Sequence, residues 1–373
     1  MIITELALKN FKIHQNSRLQ FSDRINYIVG GNGQGKTTIL EAIYFCCTTK
    51  NYKSNSDSEF INFGGDSYGI TGKFFGATGH TIEINYLKTE SRRKYLKDMK
   101  SPGKLSEVIG KFPVVLLTPE DHSITQGYAA ERRKFVDSVI SQASELYLTT
   151  LLDYNRLIKQ RNSLLTQIKE TGNPALVSQL QAWNDSLISL GSQLIEYRLQ
   201  FVKEFIPSIK HAYKQILKDK EIPAIEYFPF DEQSPNSLQE IHQLFKAKLE
   251  SVKQQEMRRG VTLIGPHRDD FVFSINGNNL KKFGSQGQHK TFQVALRFAQ
   301  YFYMKEKLGV PAIFLLDDVF GELDTERSVS ISNVLKSIGQ AFITLTDFSH
   351  FDFIGVEEHD KVFNVTSGEV LAV

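Results

Sequence analysis

Two periods of apolar residues divide the chain. In IITELAL (Ile2–Leu8) and HTIEINYL (His80–Leu87) apolar and polar positions alternate, which turns one face of a strand to a core and the other to water. Glycine turns separate such runs, so the N-terminal third reads as strand-rich. INYIV (Ile25–Val29) is short and mostly apolar, as a buried strand would be, and TTILEAIYF (Thr37–Phe45) switches to helical spacing.

The middle of the chain keeps a third rhythm. Leu176, Leu180, Trp183, Leu187, Leu190, Leu194, Tyr197 and Phe201 are separated by alternating steps of four and three, a heptad seam. Leu151, Tyr154, Ile158, Leu165 and Ile168 follow the same steps upstream, with Arg161 taking one place in the series. Gly172, Asn173 and Pro174 supply turn chemistry between them. The prediction is a pair of antiparallel helices, a short coiled-coil hairpin, with Pro207 ending or kinking the second. After Gly260 alternation returns. FVFSINGNNL predicts a hairpin turning at Asn276-Gly277, followed by a helix from about Gln288 and the strand PAIFLLDD. The fold class is α/β: a core of residues 1–112 and 258–373, interrupted by an inserted helical domain at 113–257 that carries the hairpin.

Composition changes this picture little. With 373 residues, 41% hydrophobic and 23% charged, the chain has ordinary globular usage and length for two or three domains. Cys46 and Cys47 are neighbours inside a predicted helix, which suits small core residues of a reducing compartment better than a disulfide. Cysteine and histidine show no metal-ligand spacing. The N-terminus lacks a signal-peptide pattern, and no uncharged apolar run approaches membrane-spanning length, so the expectation is a cytoplasmic protein with no membrane partner. A net charge of +2 is neutral evidence on nucleic acid. Local basic runs, Lys88 to Lys104 and Lys246 to Arg259, are solvated faces by default and phosphate footprints only if other features support that.

Chemistry enters at VGGNGQGKTTIL (Val29–Leu40). Gly30, Gly35, Lys36 and Thr37 fit G-x-x-x-x-G-K-[ST] between a predicted strand and a predicted helix, the context that spacing needs. Glycines let successive N–H groups turn toward one point, and the helix adds its unpaired first-turn donors. Gly30, Gly31, Asn32, Gly33, Gln34, Gly35 and Thr38 would thus cradle the phosphates of ATP mainly by main chain. Lys36 would reach the β- and γ-phosphates, and the Thr37 hydroxyl would ligate Mg²⁺. A merely structural glycine turn has no need of Lys and Thr at these places. IFLLDD (Ile313–Asp318) is an apolar strand ending in two carboxylates, and alternation gives them different jobs. Asp317 would hold Mg²⁺ or its water, and Asp318 would orient the attacking water and take its proton.

Ser285-Gln286-Gly287-Gln288, just before a helix, resembles the S-G-G-Q signature of ATP-binding-cassette (ABC) ATPases, with Gly321-Glu322-Leu323-Asp324 where that class has its dimer-contacting loop. In that class the signature of one subunit caps the γ-phosphate bound by the other, which implies an ATP-dependent homodimer. More specifically, the chain resembles the RecF family of bacterial recombinational repair ATPases. The matching strings are LKNFKIHQN (Leu8–Asn16), GGNGQGKTTILEAIY, LLTPEDHSITQGYAAERRKFVD (Leu116–Asp137), TLIGPHRDDFVFSING (Thr262–Gly277), FGSQGQHKT and LLDDVFGELD. They span nearly the whole chain in the family's order. The resemblance implies an ABC-type phosphate-loop head like those of SMC ATPases, with the long coiled coil reduced to a stub.

It also implies roles. Gln126 would sense magnesium and the γ-phosphate, and Lys12, in the N-F-[RK] entry, would approach the phosphates, although an exposed loop lysine is an equal alternative there. The implied function is a clamp whose ATP-driven dimer grips DNA near single-strand/double-strand boundaries and, with RecR and RecO, helps load RecA. Asp318 stands where glutamate is usual, which implies slow hydrolysis, and Asp347 stands where many ABC ATPases have a γ-phosphate-sensing histidine. Competing readings are an ABC transporter's ATPase subunit, which explains neither GPHRDD nor the hairpin, a chromosome-organising SMC head, which needs a long coiled coil, and a metabolite kinase, which would lack the SQGQ–LLDD–GELD series.

Overall fold

The computed structural model describes residues 1–373 apart from 55, 218–219, 232–234, 236, 323 and 348–354. The N-terminal third runs β1 (Ile2–Phe11), β2 (His14–Gln20), β3 (Ile25–Val29), α1 (Lys36–Thr48), β4 (Ser67–Phe75), β5 (Gly79–Leu87), β6 (Arg92–Lys97) and β7 (Val114–Leu117). Then follow α2 (His122–Gln126), α3 (Ala129–Ala143), α4 (Glu145–Thr171), α5 (Pro174–Leu217), β8 (Pro223–Phe228) and α6 (Leu238–Arg259). The remainder is β9 (Asp270–Ile275), β10 (Asn278–Asn279), α7 (Leu280–Phe283), α8 (Gln286–Leu308), β11 (Ile313–Leu316), α9 (Thr325–Ser337), β12 (Ala341–Leu345), β13 (Lys361–Thr366) and β14 (Glu369–Ala372). The chain forms two compact units. The first is Met1–Asp121, His211–Lys220 and Lys290–Val373, and the second is His122–Lys210 and Glu221–His289.

The first unit holds two sheets. One is antiparallel, in the order β2-β1-β4-β5-β6; β4 and most of β5 alternate buried with more exposed residues as the period-two pattern predicts, while β1 breaks its alternation at a bulge between Ile3 and Glu5. The other runs β14-β13-β3-β12-β11-β7 and is parallel except for β14. Helix α1 is buried almost all round, because Ile39, Leu40, Ile43, Phe45, Cys46 and Cys47 share one core with residues of both sheets. Each such aliphatic or aromatic side chain stabilises the fold by about 1.5–3 kcal/mol, so the loop that leads into α1 stands on a firmly held helix. Both cysteines are free, and burial raises their thiol pKa.

In the second unit α4 and α5 form the predicted hairpin, turning at Gly172 in the left-handed conformation. The structure departs from the two-helix seam in three ways. The buried stripe is wider than a heptad, taking in Leu157, Leu164, Ile188 and Ile195, because α6 packs against α4 and Met257 joins Leu164, Leu165, Ile168, Leu180 and Trp183. Second, α5 neither ends nor is replaced by another element at Pro207 but continues to Leu217. Lys203, whose carbonyl loses the helical bond, is exposed, so solvent can take it. Third, the boundaries move. Strand β7 pairs with β11, and Arg297 grips Asp121 through two 2.7 Å bonds, so residues 113–121 stay with the first unit. Residues 258–289 go with the second, since β9 pairs with β8 and Thr262 bonds Arg161 and Asn162. The β9–β10 turn has Asn276 and Gly277 at φ 51° and 78°, the hairpin geometry expected of Asn-Gly.

The strings that made the sequence distinctive fold against each other in this unit. Arg132 of ERR makes a bidentate 2.8 Å pair with Asp270 of HRDD, and Arg133 donates to the Asp269 carbonyl at 2.6 Å. Among the described residues no helix is long and apolar enough to cross a membrane.

Candidate functional site

The carboxyl ends of parallel strands are where an open α/β sheet binds ligands. Strand β3 ends at Val29 and α1 starts at Lys36, and the glycine loop between them is pressed from below. A side chain on Gly30 would put its Cβ 2.2 Å from the Val365 carbonyl oxygen. One on Gly35, which caps α1 at φ +110°, would come 2.7 Å from His14 Nε2. The β13–β14 turn braces the loop further: Ser367 N–H donates to Gln34 Oε1 at 2.5 Å and Gly368 N–H to the Gln34 carbonyl at 3.0 Å. Glycine is required here by close approach as well as by backbone freedom.

Lys36 is buried, with its ammonium on the Gly30 and Gly31 carbonyls at 2.6 and 2.9 Å. Burial lowers its pKa, opposed by Asp318 and Asp317. Thr37 Oγ1 donates to Asp317 Oδ1 at 2.8 Å, although the residues are 280 positions apart. Burial raises the Asp317 pKa against the pull of the hydroxyls of Thr37 and Thr344. Thr344 of β12 ties the two aspartates together, donating to Asp317 Oδ1 at 3.0 Å and accepting the Asp318 backbone N–H at 2.8 Å. One hydroxyl and one carboxylate meeting at the loop are hard oxygen donors, and Mg²⁺ takes one or two such protein ligands with the rest from phosphate and water. The residues fit that ion.

Asp318 has φ +50°, a left-handed backbone that aspartate tolerates better than glutamate. That gives a local reason for the shorter acid at this position. Gly33, Gln34, Gly35, Lys36, Thr37, Thr38, Asn32, Asp317 and Asp318 line one cleft of about 930 Å³, together with Lys12. Lys12 bonds the buried Glu41 at 2.5 Å, so it is an ion-paired wall of the cleft, not a free loop lysine. Glu41 also accepts from Asn51 at 3.0 Å. Sequence reasoning missed Glu41, Thr344 and the segment Ser58 to Gly65 that forms the far wall. The one available signal was an acid inside the apolar run TTILEAIYF.

The cleft is lined by the first unit alone. Asp347, just past β12, is exposed and outside its lining. Gln126 ends α2 in the second unit and is exposed. Ser285 to Gln288 also belong to the second unit, where they form a reciprocal helix cap: Gln288 N–H donates to Ser285 Oγ at 3.2 Å, and Ser285 N–H to Gln288 Oε1 at 3.0 Å. Gln288 Nε2 further bonds Glu221 at 2.8 Å. Asp324 caps α9 by accepting from Arg327 N–H at 2.9 Å, while Leu323 of the expected dimer loop lies outside the described residues. The first basic run is partly consumed: Arg93 pairs with Asp57 and covers Phe45, Lys97 covers Phe112, and Lys88 lines the cleft.

A family profile described as the RecF/RecN/SMC N-terminal domain matches residues 2–369. The DNA replication and repair protein RecF of Chloroherpeton thalassium is 38% identical over 364 residues, covering 96% of this chain and 98% of its own. That of Salinibacter ruber is 34% identical over 357 residues, 94% and 86% of the two chains. Among solved structures, the recombination mediator protein RecF-ATP of the RecFOR pathway superimposes with TM-score 0.88 at 28% identity, covering 100% of this chain and 97% of that one. The Smc head domain of Pyrococcus furiosus, bound to the C-terminal domain of ScpA, shares the fold at TM-score 0.57 and 14% identity, covering 100% and 96%.

Proposed function

The chain belongs to the RecF family of DNA replication and repair proteins, ATP-binding relatives of SMC heads, and on that premise we propose that it is an ATP-driven DNA clamp. Loop amides and Lys36 hold the triphosphate. Thr37 and Asp317, joined by Gln126, would hold Mg²⁺, which when bound neutralises charge between the β- and γ-phosphates. Asp318 positions the attacking water and accepts its proton, slowly, because its carboxylate reaches less far than glutamate's. Ser285 to Gln288 of a second copy cap the γ-phosphate, so ATP closes a homodimer and hydrolysis opens it. Asp347 is the candidate γ-phosphate sensor. The closed dimer grips DNA at single-strand/double-strand boundaries and, with RecR and RecO, promotes RecA loading in the cytoplasm.

The observation that carries this reading is the 2.8 Å meeting of Thr37 and Asp317 beneath the glycine loop, with Asp318 in the same wall. The test is DNA binding by the purified protein with ATP, ADP or no nucleotide, at two salt concentrations. Binding should require ATP and weaken as salt rises, with little dependence on base sequence. Equal binding in all three nucleotide states would sink the clamp.

A further inference from the structure

Resting on the reading of the cleft as the nucleotide site, we infer that Phe63 is the platform on which the base of the bound nucleotide stacks. The glycine loop and the two carboxylates fix where the phosphates lie. Beside Glu41, Lys53 and Lys88, the remaining wall comes from the β1–β2 turn and the segment Ser58 to Gly65. Within the lining the apolar side chains are Ile13, Ile61 and Phe63, and Phe63 is the only aromatic one among the described residues. Its ring is fully in water at 103% relative exposure, whereas Phe60, three residues earlier, is buried at 1%. An unburied phenyl ring beside a polar cleft forfeits the burial that stabilises the other, and a flat heterocycle laid on it would restore that burial.

The ring is presented by a braced turn. Asn62 N–H donates to the Asn10 carbonyl at 2.9 Å, and its side-chain amide donates to the Lys12 carbonyl at 2.5 Å. Gly65 N–H closes the turn on the Asn62 carbonyl at 2.9 Å, and Gly64 holds φ +81°. Lys12 N–H in turn bonds the Phe60 carbonyl at 2.8 Å. The same short contacts therefore fix Lys12 in the cleft wall and Phe63 at its rim. Stacking on a π-face is tolerant of base identity, so Phe63 strengthens binding without choosing between adenine and guanine.

The experiment compares Mg²⁺-ATP, Mg²⁺-GTP and Mg²⁺-tripolyphosphate by calorimetric titration of the full chain. Phe63→Ala should weaken ATP and GTP by about tenfold or more and leave tripolyphosphate unchanged. The substitution removes no buried contact, so folding is spared. Phe63→Trp should restore affinity, and its added fluorescence should be quenched by ATP but not by tripolyphosphate, against the baseline of Trp183, the single native tryptophan. Unchanged ATP affinity in Phe63→Ala, or equal losses for ATP and tripolyphosphate, would overturn the platform. If the unmodified protein bound neither ligand, the cleft reading itself would fail and take the platform with it.

Discussion

Asp318 sits at the cleft with its backbone at φ +50°, a conformation that disfavours residues with a Cβ. Strain kept at a reacting position is a stability loss tolerated for function. Asp318→Gly should therefore raise the unfolding free energy by a few tenths to about 1 kcal/mol in urea titration while phosphate release is lost. A glycine variant that still turned over ATP would remove Asp318 from the chemistry. His267 gives a second residue-scale test. The Thr262 carbonyl can only accept, so Nε2 carries the proton and Nδ1 accepts from the Tyr154 hydroxyl, 2.8 Å away. Burial, with Arg268, Arg133 and Arg161 adding to it, pushes the His267 pKa down to about 4. A folded pKa below the unfolded one gives stability that is complete above about pH 6.5 and lost as pH falls toward 4. His267→Gln does not titrate, so the stability gap between the two proteins should narrow on acidification by up to about 1.4 kcal/mol per pH unit. A gap independent of pH would mean that folding does not shift the His267 pKa. Lys36, Thr37 and Asp317 were legible in the sequence because spacing and strand ends encode them. The Lys12–Glu41 pair and Thr344 were not, since their partners come from separate elements that no local pattern links.

Helical hairpins of this length can slide, and here a buried polar network pins one register. Arg161 and Glu256, at 1% and 0% side-chain exposure, pair at 2.5 Å, while Arg161 also donates to Asn184 and Thr262. The other Glu256 oxygen accepts the Leu263 N–H at 2.7 Å. The network ties α4, α5 and α6 to the segment leading into HRDD. Glu256→Ala leaves a buried guanidinium without its counter-ion and should cost about 3–5 kcal/mol, whereas Arg161→Leu with Glu256→Leu should cost far less. Equal losses in thermal or urea unfolding would show that packing, not the charge, holds these helices. The heptad steps in the sequence marked both helices and their turn, and Arg161 already stood out as a charge in an apolar series. The third helix was not legible, because α6 carries only Ile241, Phe245 and Leu249 as fully buried apolar residues among many charges. Pro207, read as an end or a kink, does not end the helix: α5 runs on to Leu217, and Lys203, whose carbonyl it orphans, is exposed to solvent.

At the scale of the whole molecule, one chain carries a phosphate cradle in its first unit and a serine-capped helix start in its second. The order of strings along the chain made both legible, together with the α/β class, while the division at Asp121 and His289 depended on strand pairing and on the Arg297–Asp121 clamp. The proposed dimer uses Ser285 against a neighbour's triphosphate, yet Ser285 also caps α8, so a bulky replacement confounds a lost cap with a lost lid. Aspartate separates them. It is as good an N-cap as serine, so Ser285→Asp should leave unfolding free energy within about 0.5 kcal/mol of the original. Its carboxylate would face the terminal phosphoryl group at close range, where like charges repel strongly in a site that excludes water. Sedimentation should then show a monomer at saturating ATP, with ATP affinity of the monomer unchanged. Asp318→Asn, which keeps the nucleotide unhydrolysed, should accumulate dimer under the same conditions, and combining it with Ser285→Asp should return the monomer. A Ser285→Asp protein that still dimerised with ATP would place the contact between copies somewhere other than the serine-capped start of α8.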